Sequence, residues 1–124
     1  MSVSTEECVL VTGGAGFMGA HIVRALLSDS RYAGLSVIVM DDLSGGFLEN
    51  LPIDKRLAFH QASIVDSQAV DQIFAQYNVK YVFHLAAYAA EGLSHFIRRF
   101  NYQNNLIGSV NLINAAVRAD VKHF

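Results

Sequence analysis

Four glycines, Gly13, Gly14, Gly16 and Gly19, fall within seven residues, directly after an apolar, β-branched run and directly before a helical pattern. Glycine costs conformational entropy on folding, so such a concentration needs a reason that outweighs the cost. Read as Gly14-x-Gly16-x-x-Gly19, the spacing matches a dinucleotide-binding turn. The early glycines permit a tight turn from strand to helix, the middle one lets a pyrophosphate approach the backbone, and the last lets helix pack on strand. The anion then meets free N–H groups at the positive end of a helix dipole. A P-loop would need Lys followed by Ser or Thr, but Gly16 is followed by Phe17, Met18 and Gly19. Asp41 follows Gly19 by 22 residues, close to the roughly 20 at which a carboxylate takes ribose hydroxyls. A carboxylate there repels a 2′-phosphate, and no Arg stands at 41 or 42 to reverse this, so NAD is expected rather than NADP. The competing reading, that Asp41 and Asp42 only open a turn at 41–46, lacks the strand–turn–helix context.

The other reactive side chains point to little chemistry. Five histidines (His21, His60, His84, His95, His123) are scattered, without an i, i+4 pair or a cysteine partner, so no metal site is expected. His84, at a strand end, reads as a satisfied core or rim histidine rather than a general base. Cys8 reads as strand packing, Glu91 as a solvated loop carboxylate. Arg98 and Arg99 read as the exposed side of a short helical segment, with contact to a sugar-nucleotide pyrophosphate as the lesser reading.

These residues need elements to position them. Short apolar runs at 8–12, 36–40 and 80–85 read as buried strands, with 57–61 as a weaker fourth. Between them lie helical patterns. Residues 17–27 place Met18, Ile22, Val23 and Leu26 on one face. Val70, Ile73, Phe74 and Tyr77 define a second helix, with Ser67 as its expected N-cap. Leu106, Val110, Ile113 and Val117 define the core face of a third, beginning somewhere in 101–106. Strands apolar on both faces and alternating with helices predict an α/β fold: a three-layer αβα, Rossmann-like, doubly wound parallel sheet. The expected strand order is 3-2-1-4, with the switch point, where ligands bind, between strands 1 and 4. Residues 120–124 read as the approach to a fifth strand, so the sheet is expected to be truncated before or within it. The outer edge of strand 4 is then expected to be unpaired, which favours self-association.

The length, 124 residues, suits one domain, 1–124. At 52% hydrophobic and 16% charged the chain is not disordered, and a net charge of −2 gives no reason to expect nucleic acid or an anionic membrane as partner. No apolar run approaches the roughly 20 residues of a membrane span. The N-terminus lacks an export signal and Cys8 is the only cysteine, so a cytoplasmic location is expected.

"VTGGAGFMG", "VIVMDDLSGG", "VFHLAA" and "YQNNLIGSVNLINAA" together resemble the extended short-chain dehydrogenase/reductases, nearest to the nucleotide-sugar epimerases and dehydratases of the UDP-glucose 4-epimerase type. The resemblance runs over nearly the whole chain, with motifs in order and at the right spacing. It implies pyrophosphate contacts at Gly13, Gly16, Phe17 and Met18 beside the packing glycine Gly19, and ribose contacts at Asp41. It implies that Asp42, Ser44 and Gly45 line the loop beside the adenosine. Leu85, Ala86 and Ala87 would pass close to the nicotinamide ribose. Asn104 or Asn105 would face the cofactor or pin strand 4 to the neighbouring helix, and Ser94 would stand near the substrate pocket. Two positions depart from the family pattern. Ser63, before Ile64, stands where an Asp commonly bonds the adenine, and Ala89 stands where the epimerases often carry a Lys.

The resemblance implies hydride chemistry on a nucleotide-sugar substrate, performed by a Tyr-x-x-x-Lys pair with a nearby Ser or Thr. None of Tyr32, Tyr77, Tyr81, Tyr88 and Tyr102 has Lys four residues on. No catalytic residue is therefore expected in this chain, and alone it is expected to be inactive. Three alternatives remain: another extended short-chain reductase, a non-catalytic dinucleotide-binding module, and a cofactor-free remnant.

Overall fold

The computed structural model describes residues 5–124; the absence of an export signal rests partly on residues 1–4, outside the described residues. Four strands, β1 (Glu7–Thr12), β2 (Ser36–Asp41), β3 (Leu57–Gln61) and β4 (Asn78–His84), form one parallel sheet in the order β3-β2-β1-β4. Helix α1 (Phe17–Ser28) makes the crossover from β1 to β2 and α2 (Ser67–Gln76) that from β3 to β4, while a 3-10 turn, Leu48–Asn50, lies between β2 and β3. After β4 come α3 (Arg98–Asn101) and α4 (Gly108–Arg118), joined by a π-helical segment, Tyr102–Ile107.

The alternation of β1 and β2 explains the layers. Val9, Val11, Val37 and Val39 point to one face and pack with Val23 and Leu26 of α1. Cys8, Leu10, Ile38 and Met40 point to the other and pack with Val70 and Ile73 of α2 and with Leu112 and Ala115 of α4. Period-2 strands buried on both faces therefore hold helices on both sides, as the apolar runs require. The expected fold and strand order are those observed.

Four details differ from the sequence reading. Strand β4 begins two residues earlier than 80, and the β1–β4 register shifts between Cys8 and Val9. Asp66, not Ser67, caps α2, its side chain accepting from the amides of Gln68 and Ala69. Ser67 is the first residue of that helix.

The third difference is a face. Leu106, Val110, Ile113 and Val117 are exposed, by 41% or more, and α4 turns Gly108, Leu112, Ala115 and Ala116 inward instead. Both sets recur at helical spacing, so the period cannot choose between them. Close approach can: a Cβ on Gly108 would lie 2.6 Å from Ile64, so the small residues let the helix settle on the core. Met18 likewise points outward, while Gly19, Ala20, Val23 and Leu26 face the sheet.

The fourth difference is the edge of β4. Lys122 donates its amide to the Lys80 carbonyl at 2.8 Å and Val82 donates to the His123 carbonyl at 3.0 Å. Tyr81 and His123 form a parallel bridge, so the end of the chain covers part of the edge expected to be bare. Among the described residues no helix is long and apolar enough to cross a membrane.

Candidate cofactor site

Strand β1 ends at Thr12 and the chain turns through Gly13 into α1. Gly13 sits at φ 69°, and a Cβ on it would lie 2.8 Å from the Ala86 amide nitrogen. Any larger residue is therefore excluded twice, by its own conformation and by the loop after β4. Gly19 is tighter still: a Cβ there would stand 2.1 Å from the Gly13 carbonyl oxygen. Its absence lets the first turn of α1 sit directly on the turn that precedes it. Gly16 begins the helix in extended conformation, and no side chain caps the first turn. Its leading amides are left facing outward, at the positive end of the helix.

Asp41 closes the other side of this turn. It is 8% exposed; one oxygen accepts from the Ala15 amide at 3.0 Å and the other from the Leu43 amide at 2.8 Å. Leu43 reaches that oxygen by adopting φ 61°, a conformation costly for a residue with a Cβ. A carboxylate offers about four acceptor positions, so two remain for a ligand's hydroxyls. Beyond it, Asp42 accepts from the Ser44 amide at 2.9 Å and hydroxyl at 2.6 Å. The loop is tied back to the glycine turn, because the Phe47 amide and the Asn50 side chain both donate to the Ala15 carbonyl.

The facing wall is the segment after β4. The amides of Leu85 and Ala86 both donate to the Thr12 hydroxyl, each at 3.2 Å. Asn105, in the π-helical segment, accepts from the Tyr88 amide at 2.8 Å and donates to the Tyr88 carbonyl at 2.9 Å. A third loop, after β3, is held by Asn111 of α4, which donates to the carbonyls of Ile64 and Val65.

Together these segments enclose a cleft at the C-terminal ends of the strands, at the switch point between β1 and β4. Of the residues singled out in the sequence, Gly13, Gly16, Asp41, Asp42, Ser44, Gly45, Ser63, Ile64, Leu85, Ala86, Ala87 and Asn104 line it. Phe17, Met18 and Gly19 do not. Phe17 and Met18 turn their side chains to solvent, and Gly19 is buried against the turn. Gly46, Ala62, Tyr88 and Phe100 line the cleft without having been foreseen. The two asparagines also separate: Asn104 faces the cleft and Asn105 pins the wall. The Ser63 hydroxyl oxygen accepts from the Val65 amide at 3.2 Å, which leaves its proton to donate.

A model of the NAD dependent epimerase/dehydratase family matches residues 9–124. The chain belongs to that family. It is 35% identical over 124 residues to a UDP-glucose 4-epimerase of Schizosaccharomyces pombe, covering 96% of this chain and 34% of that protein. It is 39% identical over 112 residues to a dTDP-glucose 4,6-dehydratase of Neisseria meningitidis, covering 87% of this chain and 31% of that protein. The crystal structure of Thermus thermophilus UDP-glucose 4-epimerase in complex with NAD superposes with a TM-score of 0.82 at 38% identity, over 92% of this chain and 35% of that one. The chain thus spans about a third of the length of the curated relatives it matches.

Outside this epimerase/dehydratase-family cleft the reactive side chains are quiet. Burial raises the pKa of the Cys8 thiol, with the nearby Glu6 adding to the rise, so Cys8 stays protonated. His84 is bonded at both ring nitrogens. Arg98, Arg99 and Glu91 are exposed. Among the described residues, no three His, Cys, Asp or Glu side chains stand close enough to share a metal ion.

Proposed function

We propose that this chain is the NAD-binding portion of a nucleotide-sugar epimerase or dehydratase. One observation carries the reading: an uncapped helix start and a buried carboxylate, bonded to the same glycine turn, open onto one cleft. The fit to NAD is chemical. The free amides of the first turn suit the pyrophosphate, Asp41 suits the adenosine ribose, and Leu85, Ala86 and Ala87 give the nicotinamide end a small, apolar wall. Asp42, Ser44 and Gly45 border the adenosine, Ser63 and Ile64 meet the adenine, and Asn104 faces the cofactor from the π-helical segment. Phe17 and Met18 contribute backbone amides, not side chains, and Gly19 acts by letting the helix approach. The bound nicotinamide would accept a hydride from a sugar carbon.

The chain brings no Tyr-x-x-x-Lys pair, so turnover belongs to residues it does not contain and the 124-residue chain alone is inactive. The nucleotide sugar is a ligand of the complete enzyme, and the location is cytoplasmic. The part of the β4 edge beyond Val82 and the exposed stripe Leu106, Val110, Ile113 and Val117 favour self-association. Calorimetric titration of the chain with NAD and NADP tests the cofactor reading. Saturable NAD binding, with NADP at least about tenfold weaker through repulsion of its 2′-phosphate by Asp41, is expected. Equal affinity for the two, or none for either by a folded chain, would overturn it.

A further inference from the structure

The strand order β3-β2-β1-β4 gives each part of a bound dinucleotide its own loop. On the cofactor reading, the glycine turn after β1 takes the pyrophosphate and Asp41, ending β2, takes the adenosine ribose. The base on that ribose, directed away from the glycine turn, then meets the next loop outward, the one after β3. Ala62, Ser63 and Ile64 of this loop line the cleft, and Ser63 alone among them carries a polar side chain. The loop adjoins Asp41 directly, the Ala62 amide donating to the Asp41 carbonyl at 3.1 Å.

The backbone of this loop is held by the protein itself. Asn111 of α4 donates to the Ile64 and Val65 carbonyls at 3.0 and 3.2 Å, and the Asp66 amide donates to the Ser63 carbonyl at 3.0 Å. The Ile64 side chain is buried against Gly108. Ser63 therefore meets the base from a set position, and its remaining hydrogen-bonding capacity can be counted. A hydroxyl has one proton and two lone pairs. The Val65 amide takes one lone pair, at 3.2 Å. One proton and one lone pair remain, so the same oxygen can accept from an amino group or, by turning its proton, donate to a carbonyl. A carboxylate here would have acceptors only. It would hold an amino group strongly and repel a carbonyl oxygen.

We propose that Ser63 is the base-selecting residue of the cleft, and that its hydroxyl admits 6-oxo purines as well as adenine. The chain then takes the hypoxanthine analogue of NAD at a much smaller penalty than an Asp at 63 would impose. Besides Asp41, the acidic residue lining the cleft is Asp42. It is exposed, it belongs to the loop after β2, and one of its oxygens is engaged by the Ser44 amide and hydroxyl.

The proposal rests on the cofactor reading, and calorimetric titration of the 124-residue chain tells the two apart. The probes are NAD, its hypoxanthine analogue, with oxygen in place of the amino group, and its unsubstituted purine analogue, with neither. Hypoxanthine also carries a proton on the ring nitrogen next to that position, where adenine has a lone pair. That change is the same for every variant, so comparing variants isolates the contact with residue 63. Ser63→Asp is expected to raise the preference for NAD over the hypoxanthine analogue about tenfold above wild type, mostly by weakening the analogue. Ser63→Asn, which keeps both a donor and an acceptor, is expected to stay within about twofold of wild type. A preference in Ser63→Asp within about twofold of wild type would overturn the proposal. So would a preference that moves with Asp42→Asn and not with Ser63→Asp.

The purine analogue tests the contact without an added charge. Wild type is expected to bind it about threefold more weakly than NAD, and Ser63→Ala to bind the two alike. A Ser63 that only braces Val65 predicts otherwise: Ala would weaken both ligands equally and leave the wild-type difference standing, which would overturn the proposal. Should Ser63→Asp fail to fold, these titrations decide alone. Absence of NAD binding by the folded wild type would sink the cofactor reading and the role of Ser63 together. NAD binding with an unmoved preference would sink the role of Ser63 alone.

Discussion

The two walls of the cleft are built by opposite means. The glycine wall is made by what is missing: side chains absent at Gly13 and Gly19 let a strand end, a turn and a helix start lie in contact. The pieces are close in sequence, and the restraint is steric. The wall at 85–88 is made by what is present, polar groups on Thr12, His84, Asn105 and Ser109. Its braces come from up to 74 residues away in sequence. A steric wall is insensitive to pH and fails abruptly when volume is added, because backbone cannot move aside. A hydrogen-bonded wall yields in steps, one bond at a time. The two sides of one cleft are thus held by different physics.

Substitutions on each side should therefore differ in kind. The largest effect is expected at Gly19→Ala, whose methyl group would fall 2.1 Å from a backbone oxygen. A destabilisation of about 3 kcal/mol or more in urea unfolding, together with loss of NAD binding, follows from overpacking that no rotamer relieves. A loss below about 1 kcal/mol would mean that the glycine wall is softer than described. Next comes Asn105→Ala, which strips two hydrogen bonds from Tyr88. It should cost about 1–3 kcal/mol and weaken NAD binding while the chain still folds; unaltered affinity would detach the far wall from the cofactor. The same substitution at Asn104, whose side chain donates only to the Phe100 carbonyl, should leave stability within about 0.5 kcal/mol and reduce affinity, as checked by urea unfolding and calorimetry. Smallest of all is Gly45→Ala. Open space surrounds a Cβ at that position, so a change of no more than about 0.5 kcal/mol in stability is expected. A large effect there would show that glycines line this cleft for reasons other than close approach.

The sequence was most legible where restraint is local. The strand-to-helix turn could be read because a glycine pattern reports a steric requirement directly, and Asp41 because its distance from that pattern is itself set by the fold. The far wall was legible only in outline. "VFHLAA" marks a strand end, but nothing in it says that His84 is bonded at both nitrogens, since Thr12 and Ser109 meet it through tertiary folding. Asn104 and Asn105 are neighbours with the same side chain, and only the path of the π-helical segment gives one to the cleft and the other to Tyr88. The α4 face was misjudged for a related reason. Size marks Leu106, Val110, Ile113 and Val117 as core, yet fit against Ile64 selects the stripe of small residues around Leu112. Periodicity states that a helix has a buried face; packing decides which one.

The most direct test of the central claim, that two differently built walls close on one dinucleotide, is amide chemical-shift mapping of the labelled chain during NAD titration. The account predicts that Gly16, Phe17 and Met18 on the glycine side shift together with Ala86 and Ala87 on the other, with one common saturation curve. Shifts confined to one wall, or gathered at the opposite ends of the strands near Cys8 and Ser36, would contradict it.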